Sequence, residues 1–458
     1  MVEVLPIETP PLGDRSYLVH DGEAALVIDP QRDIDRVIAL ASEAGVRVTH
    51  VAETHVHNDY VTGGLALARA AGAAYLVNAD DPVSFDRTPV SDGDLVEVGG
   101  MRVRALATPG HTYTHLAYVV EARGDDVGGR VAGVFTGGSL LYGSTGRTDL
   151  LGADATAALT RAQWASARRL ARELPDTARI FPTHGFGSFC SATQSEAASS
   201  TIGHEKLVNP ALTLDESSYV ESLLAGLDAW PAYYAHMAPA NLAGPAGPDL
   251  SPPRPADAAE LRRRIEAGEW VVDLRDRVAF AAGHVPGTFS FPLDDRFATY
   301  LGWMIPWGTP LTLLGDSPGQ VAQAQRDLAR IGIDRPAAAA TGRPETWAGE
   351  RGVVSLRLAK FGDLADALGA GDGGPVVLDV RRRLEWEENH IAGAVHIPLH
   401  ELPGRVGELP PGEVWVHCGS GYRSVLAASI LAAQGRSVVG VDDDFASAAA
   451  AGLALEQA

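Results

Sequence analysis

Residues 53-ETHVHNDYVTGG-64 decide how the first half of this chain is read. They close an apolar, β-branched run, VTHVAETH, and open GGLALARAAG, where apolar residues recur at helical spacing. In an extended segment residues i and i+2 face one side, so His55 and His57 can both reach one ion, with Asp59 next in the run. The following residue is Tyr60, a phenol where a further nitrogen ligand would extend the pattern.

A lone His-x-His is weak evidence, and three more segments strengthen it. The stretch 108-TPGHTYTH-115 places His111 after a strand and a Pro-Gly turn, and 182-PTHGFGS-188 does the same for His184. A third pair, 136-TGGSLL-141 and 145-TGRTDL-150, adds small and polar residues at another turn. Candidate ligands thus collect at strand ends, where α/β folds gather their sites. Strand-like ALVIDP, LVEVGGMRVRALATPGH and HLAYVVEA alternate with helical DIDRVIALASEAG, which predicts a layered α/β domain over residues 1–235. The stretch 237-MAPANLAGPAGPDLSPPRP-255, rich in Pro, Gly and Ala, reads as a linker within 236–255.

Beyond it the chain repeats itself. In 271-VVDLRDRVAFAAGHVPGTFSFPL-293 and 377-VLDVRRRLEWEENHIAGAVHIPL-399, Asp273, Arg275, His284, Gly287 and Pro292 recur as Asp379, Arg381, His390, Gly393 and Pro398. Two α/β copies follow, residues 256–350 and 351–458. The second continues as 414-VWVHCGSGYRSVLAASILAAQG-435: an apolar strand, a Gly-rich turn opening on Cys418, then a helix. Backbone N–H groups of Gly419, Ser420, Gly421, Tyr422 and Ser424 are placed to bind an anion, the helix dipole favours a thiolate, and Arg423 adds a fixed cation. The first copy continues as 311-LTLLGDSPGQVAQAQRDLARIG-332, with Asp316 expected in the place of Cys418.

Bulk properties narrow the classes. The 458 residues exceed one ordinary domain, and 46% hydrophobic with 21% charged residues describes globular protein. A net charge of −21 argues against nucleic acid or an anionic membrane as partner. No apolar run of membrane-spanning length and no signal peptide is seen, and two cysteines, Cys190 and Cys418, make no disulfide scaffold. A reducing cytoplasm is the expected compartment.

Residues 256–458 resemble the rhodanese sulfurtransferases, whose active loop reads Cys-x-x-Gly-x-Arg. The resemblance implies that Cys418 carries a sulfane sulfur, that Arg423 and the loop amides bind its anionic donor, and that the middle copy is inactive. Residues 1–235 resemble the metallo-β-lactamase fold, in the branch of persulfide dioxygenases and glyoxalase II. The expected architecture is therefore an αββα metallo-β-lactamase-like domain followed by two α/β rhodanese-like domains. The resemblance implies one Fe(II), with Zn as the alternative, held by His55 and His111 and drawing on His57, Asp59 and His184. Two-metal hydrolysis is disfavoured, because Tyr60 and Gly138 stand at positions of second-site and bridging ligands. With Gly138 lacking the carboxylate, His57, Asp59 or water is left to complete the sphere. Arg147 is expected either to pair with the carboxylate of a small thiol or to form a structural ion pair with Asp149, and Cys190 to be either a second sulfur-carrying thiol or a buried structural one. The implied partners are a small thiol persulfide, thiosulfate or sulfite, with a homo-oligomer allowed. Three functions stay open: persulfide oxidation coupled to sulfur transfer, a sulfurtransferase with a non-catalytic thiol-binding domain, and a thioester hydrolase.

Overall fold

The structure, a computed structural model, describes residues 2–122, 131–193, 197–370 and 374–457. It divides into two compact units, residues 1–249 with 328–332, and residues 250–327 with 333–458.

In the first unit the described strands form two six-stranded sheets. One runs in chain order through β1 (Glu3–Thr9), β2 (Asp14–His20), β3 (Ala24–Ile28), β4 (Arg47–Ala52), β5 (Ala74–Asn78) and β6 (Thr88–Val90). The other contains β7 (Leu95–Val98), β8 (Met101–Ala107), β9 (Leu116–Ala122), β10 (Val131–Gly137), β11 (Arg179–Pro182) and β12 (Ser200–Thr201). Period-two alternation builds the layers. In β9, Leu116, Tyr118 and Val120 join Tyr17, Leu26 and Phe135 in a core fed by both sheets. Ala117 and Val119, on the opposite face, pack with Ala167 and Leu170 of the helix Ala153–Glu173. On the first sheet Leu18, Val27 and Val51 meet Val37 and Ala41 of α1 (Asp35–Glu43) and Leu65 and Ala68 of α2 (Gly64–Ala71). This is the αββα sandwich expected.

The histidine run is not part of a strand. Strand β4 ends at Ala52, and residues 53–63 form an irregular loop before α2. Nor does the linker begin where its composition suggests. Residues Tyr234–Ala243 form a helix with Pro239 inside it, ended by Gly244 at φ 80°. From that helix buried Asn241 donates its amide to the carbonyls of His57 and Tyr60, both at 2.9 Å, and accepts from Thr62 N. The stretch that reads as a spacer therefore braces the histidine loop.

In the second unit a parallel sheet of order β14-β13-β15-β16 comprises β13 (Trp270–Asp273), β14 (Phe289–Ser290), β15 (Leu311–Gly315) and β16 (Ala338–Thr341). A second parallel sheet has order β17-β22-β21-β18-β20: β17 (Arg357–Ala359), β18 (Val376–Asp379), β20 (Val395–His396), β21 (Val414–His417) and β22 (Val438–Val441). Strands β19 (His390–Ile391) and β23 (Leu455–Glu456) pair separately. The repeat recurs in the backbone, and its shared residues are structural. Arg275 grips Asp273 at 2.6 Å and Gly283 O at 2.8 Å, while Arg381 grips Asp379 at 2.7 Å and Asn389 O at 2.6 Å. His284 stacks on Phe280 at 3.9 Å and His390 on Trp386 at 3.6 Å.

Register corrects one expectation. Asp273 pairs with Leu314, and Asp379 pairs with His417. The residue after each partner is Gly315 in the middle copy and Cys418 in the last. Gly315, not Asp316, occupies the cysteine position, and the loop before the helix at Pro318 is one residue shorter.

Gly13 sits at φ 69°, and a Cβ there would lie 2.1 Å from the backbone nitrogen of Ser188. Gly13→Ala should cost at least about 2 kcal/mol in chemical denaturation, through strain plus a clash that backbone must absorb. Gly22→Ala, with φ 107° and nothing within 4 Å, should cost clearly less.

Candidate metal centre and cysteine loop

Five histidines and four carboxylates meet at the strand ends of the first unit, all buried: His55, His57, His111, His115 and His184 with Asp14, Asp29, Glu53 and Asp59. Their hydrogen bonds sort them into roles.

His57 is held by carboxylates. Its Nε2 lies 3.2 Å from Asp29 and 3.3 Å from Glu53, and its ring stacks on Tyr60 at 4.3 Å. Burial by itself opposes a charge there, but Asp29 and Glu53 push the imidazolium up to about 9. Ligand atoms of His57, Asp29 and Glu53 lie within 4.8 Å of one another, so His57 stays among the candidate ligands, on the carboxylate side of the cluster. Tyr60 aims its hydroxyl at Asp29 O, 3.3 Å away, and serves packing. His115 is a strut: its Nε2 accepts from Gly138 N at 3.0 Å, and its Nδ1 lies 2.8 Å from Thr108 Oγ1.

His55, His111 and His184 supply further candidate nitrogen donors. His111 places Nδ1 2.7 Å from the carbonyl of Arg147, which puts the proton there and leaves the Nε2 lone pair pointing into the cluster. That Nε2 is buried without a hydrogen-bond partner. Burial and neighbouring His184 hold His111 down to about 3, so it is neutral. His184 directs Nδ1 at Asp14, 2.9 Å, and at Asp59, 3.1 Å, and its Nε2 is 3.3 Å from His55 Nε2. Ligand atoms of His55, His57 and His184 lie within 4.8 Å of one another, as do those of His111, His184 and Cys190 and those of Asp14, Asp59 and His184. An orphaned lone pair among convergent donors fits a first-row divalent ion.

The vacant carboxylate position is physically filled. A Cβ on Gly138 would lie 2.4 Å from His111 Cδ2, so no aspartate fits there while His111 keeps its place. Cys190 lies among the histidines, beside His111 and His184, and burial drives its thiol well above the ordinary value. Arg147 forms the ion pair with Asp149. It is bidentate to Asp149, 2.7 Å on each side, and donates to Phe189 O and Asp228 O.

In the second unit Cys418 follows β21, and Gly421 caps the helix Tyr422–Ala433 at φ 87°. A Cβ on Gly421 would lie 2.0 Å from Asp442 Oδ1, so glycine is obligatory. Phe445 N donates to Gly419 O at 2.9 Å, and Ser424 Oγ lies 2.7 Å from both Gly421 O and Val441 O, with one proton to share between them. Arg423 is anchored by Glu385 through two 2.6 Å bonds. Across the loop, Tyr300 of the middle copy lies 5.5 Å from the Tyr422 ring, and Arg296 sits 3.8 Å over it. Sequence reasoning passed over Asp14, Asp29, Glu53, His115, Glu385 and Tyr300. Asp29, closing ALVIDP at a strand end, carried the signal that could have found it.

The description "Metallo-beta-lactamase superfamily" matches residues 10–184, and "Rhodanese-like domain" matches residues 362–450. A hydroxyacylglutathione hydrolase of Rhodopseudomonas palustris is 32% identical over 245 residues, 46% of this chain and 88% of that protein. The mitochondrial persulfide dioxygenase of Homo sapiens is 28% identical over 210 residues, 45% of this chain and 74% of that protein. A crystal structure described as a metallo-β-lactamase from Staphylococcus aureus superposes with a TM-score of 0.66 at 28% identity, covering 75% of this chain and 99% of that one. The chain belongs to the metallo-β-lactamase superfamily and carries a rhodanese-like domain at its C-terminal end. Among the described residues no helix is long and apolar enough to cross a membrane.

Burial opposes ionisation of Glu385, but Arg423 outweighs it and brings the carboxyl from 4.5 to about 2. A lowered folded value stabilises above 4.5, and that stabilisation is lost as pH falls toward 2. Glu385→Gln should therefore destabilise the protein by about 1–3 kcal/mol at neutral pH. The gap to wild type, followed by denaturant titration, should close on acidification through this window.

Proposed function

We propose that this protein oxidises a small thiol persulfide at a single-metal centre in its first unit and transfers sulfane sulfur through Cys418 in its second. The observation that carries the reading is the joining, in one chain, of a persulfide-dioxygenase-like αββα unit to a Cys418 loop built as an anion cradle. Sulfur metabolism is the chemistry the two units have in common.

In the first reaction one persulfide, one dioxygen and one water yield one thiol, one sulfite and two protons. A ferrous ion bound among the histidines supplies the dioxygen chemistry. The chain contributes donors whose tautomers are set by Arg147 O and Asp14, as outer-shell acceptors orient metal-bound imidazoles. It also contributes a dry, buried setting. In the second reaction the terminal sulfur of a Cys418 persulfide passes to sulfite: the sulfur–sulfur bond breaks, the pair returns to Cys418 as thiolate, and thiosulfate leaves. Loop amides and the helix N-terminus are placed to hold the anionic acceptor and product beside the sulfur. Gly315 at the equivalent position makes the middle copy a domain without a nucleophile. It acts as a wall of the Cys418 loop through Tyr300 and Arg296.

Hydroxyacylglutathione hydrolase relatives raise thioester hydrolysis as the rival. Tyr60 and Gly138 disfavour it, since a two-metal site needs a ligand from each position.

Purified protein should contain about one metal per chain and consume oxygen with a thiol persulfide; two zinc ions with thioester turnover would overturn the reading. Cys418→Ser should abolish thiosulfate formation from persulfide and sulfite while oxygen uptake persists. Retained transfer would remove Cys418 from the reaction.

A further inference from the structure

Within the first unit two features fall outside the family's usual ligand pattern, the buried thiol of Cys190 and the space His111 takes from a Gly138 side chain, and the orphaned Nε2 of His111 lies beside them. They are neighbours. One ligand atom each from His111, His184 and Cys190 lies within 4.8 Å of the others, and all three residues are 0% exposed.

We infer that Cys190 is a metal ligand: the ion is held by His111, His184 and the Cys190 thiolate, a sulfur taking over the function of the missing carboxylate. The inference rests on the single-metal reading above and names its ligand set.

Geometry supports it on independent grounds. His111 cannot leave room for an aspartate at position 138, because its Nδ1 is pinned to Arg147 O at 2.7 Å. The same hydrogen bond aims its Nε2 lone pair inward. Asp14 holds His184 at 2.9 Å, the carboxylate–imidazole pairing that orients a metal-bound histidine. The loop that carries Cys190 is fixed at both ends: Arg147 N donates to Cys190 O at 2.8 Å, and Cys190 N donates to Ser188 Oγ at 3.1 Å. Gly13, packed on Ser188, fixes that loop against β1 and β2. His55, with Nε2 3.3 Å from that of His184, stands next to the trio as a fourth donor.

Two imidazoles and a thiolate suit borderline ions such as zinc, cobalt or ferrous iron and not magnesium or calcium. Binding releases the Cys190 thiol proton to solvent as the metal–sulfur bond forms, together with any second proton carried by His184. No electron changes hands.

The chain has two cysteines, so a full-length Cys418→Ser protein keeps Cys190 as its sole thiol. Loaded anaerobically with Co(II), it should bind one equivalent and develop a thiolate-to-cobalt charge-transfer band in the near ultraviolet. Adding Cys190→Ser should remove the band and weaken cobalt binding by more than about a hundredfold, beyond the loss usual for an outer-shell partner. Should that variant fail to fold, X-ray absorption of the zinc-loaded Cys418→Ser protein gives the answer without it, through a sulfur neighbour at about 2.3 Å. Cobalt bound at one equivalent with no thiolate band, or zinc with nitrogen and oxygen neighbours alone, overturns the Cys190 ligand and leaves the single-metal reading standing. No metal bound under any of these conditions overturns both.

Discussion

The first unit hangs on Asp29. Its carboxylate, fully buried at the end of β3, accepts from Thr54 N and Thr54 Oγ1, each at 2.7 Å, and from Thr183 Oγ1, and it faces His57 at 3.2 Å. Those partners lie on the loop after β4 and at the end of β11, so one side chain joins strand ends of both sheets. Asp29 adopts φ 51°, a left-handed conformation that costs a non-glycine residue about 1 kcal/mol or more. Four polar contacts in a dry interior offset such a strain. The His55 and His184 segments are placed relative to each other because both run through this node.

The two candidate sites follow different physics. The cysteine loop is made from backbone: a strand end, a left-handed glycine and a helix N-terminus, with Arg423 fastened by Glu385. Its geometry is local and needs few residues. The histidine cluster is made from side chains delivered by five separate segments, and its electrostatics are collective. Burial favours neutral groups, so each charge there persists only beside its opposite: His57 between Asp29 and Glu53, and His184 beside Asp14 and Asp59.

The repeat in the second unit separates what a fold needs from what chemistry needs. Both copies retain the buried Asp–Arg pair and the stacked histidine, because these close the connection between a central strand and its neighbour. The copies part at Gly315 and Cys418, at the strand end where Cys418 is buried and a Cβ on Gly315 would press on Gln320 and Val321. The middle copy keeps its architecture and turns aromatic and cationic side chains toward the Cys418 loop.

Local patterning made the strands and helices legible, and with them the αββα layering, the repeat and the Cys418 turn, because periodicity and turn chemistry act over a few residues. Motif spacing also marked His55, His111 and His184. Tertiary structure alone decided the rest. It turned His57 to carboxylates supplied by β3 and the end of β4, spent Arg147 on Asp149, and let His111 fill the space beside Gly138. It also brought Cys190 to the histidines, drew residues 237–243 into a bracing helix, and set the register that matches Gly315 to Cys418. Each of these depends on partners remote in the chain, and a side chain's charge and direction are fixed by the oxygen it finds across the core, which no spacing of letters encodes.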